Sequence, residues 1–172
     1  TFLLADGISI GASLAEPDMV ETARRIKDVA KAHDCTLILP VDVVVASEFK
    51  LGATHACVNV NDVGPQDMIL DAGPLSIAAA IAYLDRCSTI VWNGPMGVFE
   101  FSACAKGTFT VAQAMKDATE NGAYTLVGGG DSVAAINAAG FAEDVSYVST
   151  GGGAMLEYLE GKTLPGIKAI EE

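Results

Sequence analysis

The sequence is short of positive charge. Ten Lys and Arg residues stand against 22 Asp and Glu, for a formal net charge of −12. A chain so acidic is poorly suited to nucleic acid or to an anionic membrane surface, both of which call for a basic patch. Histidine is scarce too, with His33 and His55 isolated from each other. The cysteines, Cys35, Cys57, Cys87 and Cys104, form no C-x-x-C pair, so neither a zinc site nor a disulfide framework is suggested. Such thiols read as the reduced cysteines of an intracellular protein. No apolar run is long enough to span a bilayer: Leu37 to Ala46 is interrupted by Asp42, and Leu75 to Leu84 is short. No signal peptide is visible. Two glycine signatures are also missing, the Walker pattern G-x-x-x-x-G-K-[ST] and the fingerprint G-x-G-x-x-G.

Glycine and apolar residues are plentiful: 18 glycines, and 51% of the chain apolar. A chain of this length buries roughly 70% of its unfolded surface and needs no covalent staple. One domain is expected rather than two complete ones. The opening Thr-Phe-Leu-Leu carries neither an initiating Met nor a capping signal. It reads as entry partway through a helix, so the chain is expected to be a fragment.

Periodicity divides the chain further. Glu16-Pro17-Asp18 starts a helix whose apolar positions, Met19, Val20, Ala23, Ile26, Val29 and Ala30, continue to about His33. Thr36 to Leu39 reads as a buried strand, Val43 to Ala46 as a second extended run, and His55 to Val60 as a short edge strand. Met68 to Leu70 is a brief buried run, and Ser76 to Arg86 an alanine-rich helix. From Thr89 the pattern is regular. Strands at Thr89–Trp92, Tyr124–Val127 and Ser146–Val148 each lead into a glycine loop, and helices follow at about Ala105–Asn121, Ser132–Ala139 and Ala154–Glu160. Such alternation predicts an α/β fold, a Rossmann-like three-layer sandwich with a mainly parallel sheet and helices on both faces. Right-handed crossovers then place the loops Asn93 to Gly97, Gly128 to Ser132 and Ser149 to Gly153 side by side along one rim, where open α/β sheets bind ligands.

Consecutive glycines let a backbone approach an anion with its N–H groups free, and the helix that follows adds partial positive charge. Each loop taken alone is equally readable as a tight turn. The convergence of three favours a polyphosphate site. Asp131 is either a helix N-cap or a ligand of Mg²⁺, and Ser132 is either a cap or a donor to a phosphate. A helix N-terminus contributes roughly 0.3–1 kcal/mol toward an anion. Three of them do not neutralise a triphosphate on this acidic chain, so cations must come from Mg²⁺ and from groups outside it. Lys106, the one cation near the loops in sequence, reads as an ordinary helix-start residue. Trp92 reads as packing beside the rim, His33 and His55 as surface or turn residues, and the face with Asp18, Glu21 and Asp28 as solvated.

The segments Val91-Trp-Asn-Gly-Pro-Met-Gly-Val-Phe-Glu100, Gly128-Gly-Gly-Asp-Ser132 and Ser149-Thr-Gly-Gly-Gly-Ala154 resemble phosphoglycerate kinase, in that order and at about its spacing. So do Leu39–Asp42, Leu70–Pro74 and Leu159–Pro165, and the likeness covers essentially all 172 residues. The resemblance implies that residues 1–172 are the C-terminal, nucleotide-binding domain. The family's lysine-bearing first strand and helix segment, and its whole N-terminal substrate domain, are not in the chain. It implies reversible phosphoryl transfer between ATP and the carboxylate of 3-phosphoglycerate, giving 1,3-bisphosphoglycerate. ATP or ADP would bind with Mg²⁺, and 3-phosphoglycerate would bind through the N-terminal domain. Glu100 would hold the ribose hydroxyls, Gly129, Gly130, Asp131 and Ser132 the phosphates, and Asp131 the metal. Asn93 would lie near the phosphate chain, the amides of Gly151, Gly152 and Gly153 would face the transferring group, and Leu14, Leu70 and Met96 would line the adenine cleft. The resemblance further implies a cytoplasmic monomer, with no nucleic-acid or membrane partner and no activity in the isolated fragment. A module that binds nucleotide without catalysis, and a remnant that binds none, remain alternatives.

Overall fold

The computed structural model describes residues 1–171. The chain forms two compact units. Residues 1–82 and 96–108 make one; residues 83–95 and those from Phe109 onward make the other.

The first unit is built on an antiparallel sheet. Strands β1 (Asp42–Ala46), β2 (His55–Asn59) and β3 (Met68–Ala72) lie in the order β2-β1-β3, with Val44 opposite Cys57 on one side and Asp71 on the other. Three consecutive valines suit β1 to this central position, where branched side chains pack on both faces. Val43 and Val45 form a core with Val60 and Val63, and Leu3, Ile8 and Ile69 pack around it. A second cluster joins Ala46, Leu70 and Cys104, with Val98 and Phe101 against it. Ahead of the sheet come a helical turn, α1 (Phe2–Ala5), and α2 (Val20–Ala32), which an ion pair between Asp6 and Lys27 ties together. After it, α3 (Pro74–Leu84) begins at the end of β3.

One expectation fails in this unit. Residues 36–39 are not a buried strand: they belong to no ladder among the described residues, and Leu37 and Ile38 are exposed. Apolarity invites burial, but a strand also needs a neighbour to bond to, and both edges of β1 are already taken by β2 and β3. The helix expected from Pro17 to about His33 is borne out as a helical turn at Pro17–Met19 followed by α2; of its apolar positions, Ala23 and Ala30 are buried while Ile26 and Val29 are exposed.

The second unit holds a parallel sheet, β4 (Thr89–Trp92), β5 (Tyr124–Gly128) and β6 (Tyr147–Ser149), in that spatial order. Trp92 pairs with Val127 and Gly128 with Ser149, so the C-terminal strand ends share one edge. The start of the β5–β6 pair is pinned by reciprocal bonds. The Thr125 N–H donates to Ser146 Oγ and the Ser146 N–H donates to Thr125 Oγ1, each at 3.0 Å. Helix α4 (Lys106–Glu120), whose first residues count with the other unit, buries Val111, Ala112, Ala114, Met115 and Ala118, one face at helical spacing. Then come α5 (Gly130–Ala139), closed by Gly140 in the left-handed region, α6 (Gly152–Leu159), and α7 (Pro165–Glu171), which periodicity did not anticipate. The alternation expected from Thr89 onward is borne out within a residue or two at most boundaries.

Candidate functional site

The parallel strands of the second unit deliver Asn93, Gly128–Ser132 and Gly151–Gly153 to one edge, and the loops there touch. The Gly94 N–H donates to Ser132 Oγ at 2.6 Å. Ser132 is buried and lies inside α5, so it ties the first loop to the second and does not cap the helix. A hydroxyl that accepts one bond retains its proton to donate elsewhere. Gly129 has φ +94°, and a Cβ there would come within 2.5 Å of Asn93 Oδ1. A Cβ on Gly152 would sit 2.4 Å from Gly129 Cα. The second and third loops therefore meet backbone to backbone, and a side chain on Gly152 would part them, while one on Gly129 would press on Asn93 of the first loop. Trp92 is buried beside this contact, with Nε1 donating to the Gly94 carbonyl at 2.7 Å.

The N-cap positions of α5 and α6 are Gly129 and Gly151, and neither helix has a side-chain cap. Asp131 is the acid of the first α5 turn and is exposed. The N-cap reading of Asp131 is thereby corrected, because the helix starts at Gly130 and its N-cap is Gly129, two residues before Asp131. Two helix starts thus present first-turn amides without an internal acceptor, next to an exposed carboxylate.

The remaining predicted residues belong to the first unit. Leu70 is buried on β3, and its carbonyl accepts the Val98 N–H at 2.8 Å, which draws the loop carrying Met96 and Glu100 onto that strand. Glu100 is exposed in a turn closed by the Phe101 N–H bonding the Val98 carbonyl at 3.0 Å. Leu14 is fully exposed, but its neighbour Ser13 accepts the Ile69 N–H at 2.8 Å and fastens that segment beside Leu70. Lys106 is exposed as the first residue of α4.

Sequence reasoning missed two buried aspartates. Asp42 accepts the Leu75 and Ser76 N–H groups at 3.0 and 2.8 Å and the Ser76 hydroxyl at 2.6 Å, filling the first turn of α3. Burial would raise the Asp42 carboxyl, but the Ser76 hydroxyl and the Leu75 and Ser76 amides outweigh it and hold it below its ordinary value. Asp71 accepts the Gly107 N–H, at the start of α4, at 2.8 Å and its neighbour Ala72 N–H at 2.9 Å. Burial pushes the Asp71 carboxyl up despite those two amides. The available signal was a carboxylate inside an otherwise apolar strand, which must find donors when buried.

For Mg²⁺ the donor set fits in one way. Among the described residues no three acids, histidines or cysteines converge, so the chain has no complete cage. One exposed carboxylate beside a phosphate-receptive loop does suit Mg²⁺, which takes one or two carboxylates and completes its shell with phosphate oxygens and water.

The parallel strands, the touching glycine loops and the uncapped helix starts define an α/β protein with an anion-receptive rim. The phosphoglycerate kinase family model matches residues 1–162. A phosphoglycerate kinase of Chloroflexus aurantiacus is 49% identical over 172 residues, covering all of this chain and 43% of that protein. One of Xanthobacter autotrophicus is 51% identical over 171 residues, covering 99% of this chain and 43% of that protein. The solved phosphoglycerate kinase of Coxiella burnetii superimposes with a TM-score of 0.91 at 44% identity, over 97% of this chain and 42% of that one. That of Pyrococcus horikoshii gives 0.80 at 30% identity, over 99% of this chain and 42% of that one. The chain belongs to the phosphoglycerate kinase family, and it spans less than half the length of these relatives.

Proposed function

We propose that the chain is the nucleotide-binding part of a phosphoglycerate kinase. It takes ATP or ADP for reversible phosphoryl transfer with the carboxylate of 3-phosphoglycerate, and the acceptor binds a domain outside these residues. The observation that carries this reading is the pair of glycine-led, uncapped helix starts at Gly129 and Gly151, joined by the contact of Gly152 with Gly129. Gly129, Gly130 and Ser132 hold phosphates, Asn93 lies beside the chain of phosphates, and the Gly151–Gly153 amides stabilise charge on the migrating group. Phosphoryl transfer needs alignment and charge stabilisation more than covalent chemistry, which suits preorganised amides. Asp131 would hold Mg²⁺ together with phosphate oxygens, and the ion would supply the charge neutralisation that this acidic chain lacks. The roles of Glu100 toward ribose and of Leu14, Leu70 and Met96 toward adenine rest on the family resemblance. So do monomeric state and cytoplasmic location.

Calorimetry of the 172-residue chain with Mg-ADP tests the proposal. Binding heat without turnover in a coupled phosphoglycerate assay is the expected result. A folded sample that gives no heat overturns nucleotide binding by this chain, and turnover overturns the need for a second domain.

A further inference from the structure

One buried charge is not used by the proposed chemistry. Asp71 is 2% exposed and lies on β3 beside Leu70. One of its carboxylate oxygens accepts from the loop that carries Glu100, and the other from Ala72 on its own strand. Between Met96 and Thr108 that loop is held at three places, all within the first unit. The Val98 N–H bonds the Leu70 carbonyl at 2.8 Å. The Gly107 N–H bonds Asp71 Oδ2 at 2.8 Å. The Met96 and Gly97 N–H groups both donate to Thr108 Oγ1, at 3.1 and 3.3 Å, which closes the loop on itself. Thr108 is fully buried, so those bonds are sheltered from water.

Close packing reinforces the bonds. A Cβ on Gly97 would lie 2.5 Å from both Asp71 Oδ1 and the Leu70 carbonyl, and one on Gly107 would lie 2.4 Å from Asp71 Oδ1. Both ends of the loop therefore rest directly on the Asp71 carboxylate. Glu100 sits between those ends, exposed, with Phe101 beside it in the Leu70–Cys104 core and its ring 5.1 Å from that of Phe49. A buried carboxylate is costly unless its acceptors are filled, and here both oxygens are occupied by backbone amides. Burial also pushes the neighbouring Cys104 thiol up, with the Asp71 charge adding to the effect, as a fixed negative charge requires.

We propose that Asp71 and Thr108 are positioning residues for Glu100: together they fix the Met96–Thr108 loop on β3 and so set how tightly Glu100 engages the ribose hydroxyls. The inference rests on the ribose role of Glu100 given above. Neither residue touches the nucleotide; their effect passes through the loop backbone.

The test compares ADP with 2′,3′-dideoxy-ADP on the full 172-residue chain, alongside amide hydrogen exchange. The wild type is expected to prefer ADP by about tenfold or more, the scale of a hydrogen bond to a charged group. Glu100→Gln and Asp71→Asn are each expected to abolish most of that preference, and the double variant to lose no more than Glu100→Gln alone. In Asp71→Asn the Gly107 and Val98 amides should lose protection while the β1–β2 ladder keeps its own. Equal binding of the two nucleotides by the wild type, or no binding, removes the ribose role of Glu100 and this inference with it. A discriminating wild type whose Asp71→Asn variant discriminates as well overturns this inference alone. Should Asp71→Asn fail to fold, Thr108→Val decides: lost ribose preference supports the clamp and retained preference overturns it.

Discussion

The two units meet one problem, the unsatisfied amides at a helix start, in opposite ways. In the first, the chain supplies its own anions to α3 and α4, while α1 and α2 have no side-chain cap. Asp42 fills the first turn of α3 and Asp71 binds the start of α4. In the second, α5 and α6 start from glycines with no side-chain cap at all. A carboxylate in the first case and, under the proposed function, a ligand phosphate in the second would satisfy the same kind of donor, because both are anions held by N–H groups and the helix dipole. Under the proposed function, the difference separates amides bonded within the chain from amides held open for a ligand. A missing side-chain cap is not by itself diagnostic, since α1 and α2 of the first unit also lack one; what marks α5 and α6 is that glycines open them.

Substitutions at four residues bear on that contrast. The largest effect is expected from Asp42→Ala, which strands two amides and a hydroxyl. A loss of about 2–4 kcal/mol in urea unfolding is expected, and a loss under about 0.5 kcal/mol would remove the internal-anion half of the comparison. The same residue gives a pH signature. Its folded pKa lies below the ordinary 3.8, so its contribution is complete above that value and fades as pH falls through the folded one. Asp42→Asn should flatten this acid limb of a stability–pH curve. Asp71 has the opposite sign: its folded pKa is raised, so its burial weighs against folding as pH rises above 3.8.

Next is Gly129→Ala. A side chain at φ +94° and 2.5 Å from Asn93 Oδ1 is expected to cost about 1–3 kcal/mol and to weaken Mg-ADP binding more than tenfold. Unchanged binding by calorimetry would separate the loop contact from the ligand site. A smaller effect is expected from Gly151→Asp, which gives α6 the kind of cap that α3 has. The backbone there has negative φ, and a Cβ would meet nothing nearer than Ser149 Oγ at 4.0 Å. Thermal unfolding should show a gain of a few tenths of a kcal/mol while nucleotide affinity falls, since the new carboxylate competes for the same amides. A variant that gains stability and keeps its affinity would show that the α6 amides do not serve the ligand. Smallest is Asp131→Asn. The residue is exposed and caps nothing, so stability should move by less than about 0.5 kcal/mol, while the dependence of ADP affinity on Mg²⁺ should disappear.

Much of this was legible in the sequence, but unevenly. The β4 boundaries, Thr89 to Trp92, follow directly from an apolar run between polar turns, and the meeting of three glycine loops follows from parallel connection. Local pattern carries both. Residues 36–39 have the same local character as β4 yet find no ladder, since pattern records the wish to be buried and not the neighbour that does it. The antiparallel pairing of β1 to β3 was hidden for the same reason: register is a relation between distant segments. Asp42 and Asp71 looked like interruptions of apolar strands, and only the positions of Ser76 and Gly107, more than thirty residues away, reveal what they hold. Asp131 stayed open between cap and metal ligand in the sequence, because α5 begins two residues earlier than its pattern suggests, with Gly129 as the N-cap.

Trp92 is the chain's single tryptophan. Its indole N–H is fastened to the Gly94 carbonyl, and the Gly94 amide is fastened to Ser132. Intrinsic fluorescence excited at the indole therefore comes from one fixed place, a single peptide unit from the residue that joins the first two loops. The protein carries its own optical gauge at the rim, one that needs no dye and no added label.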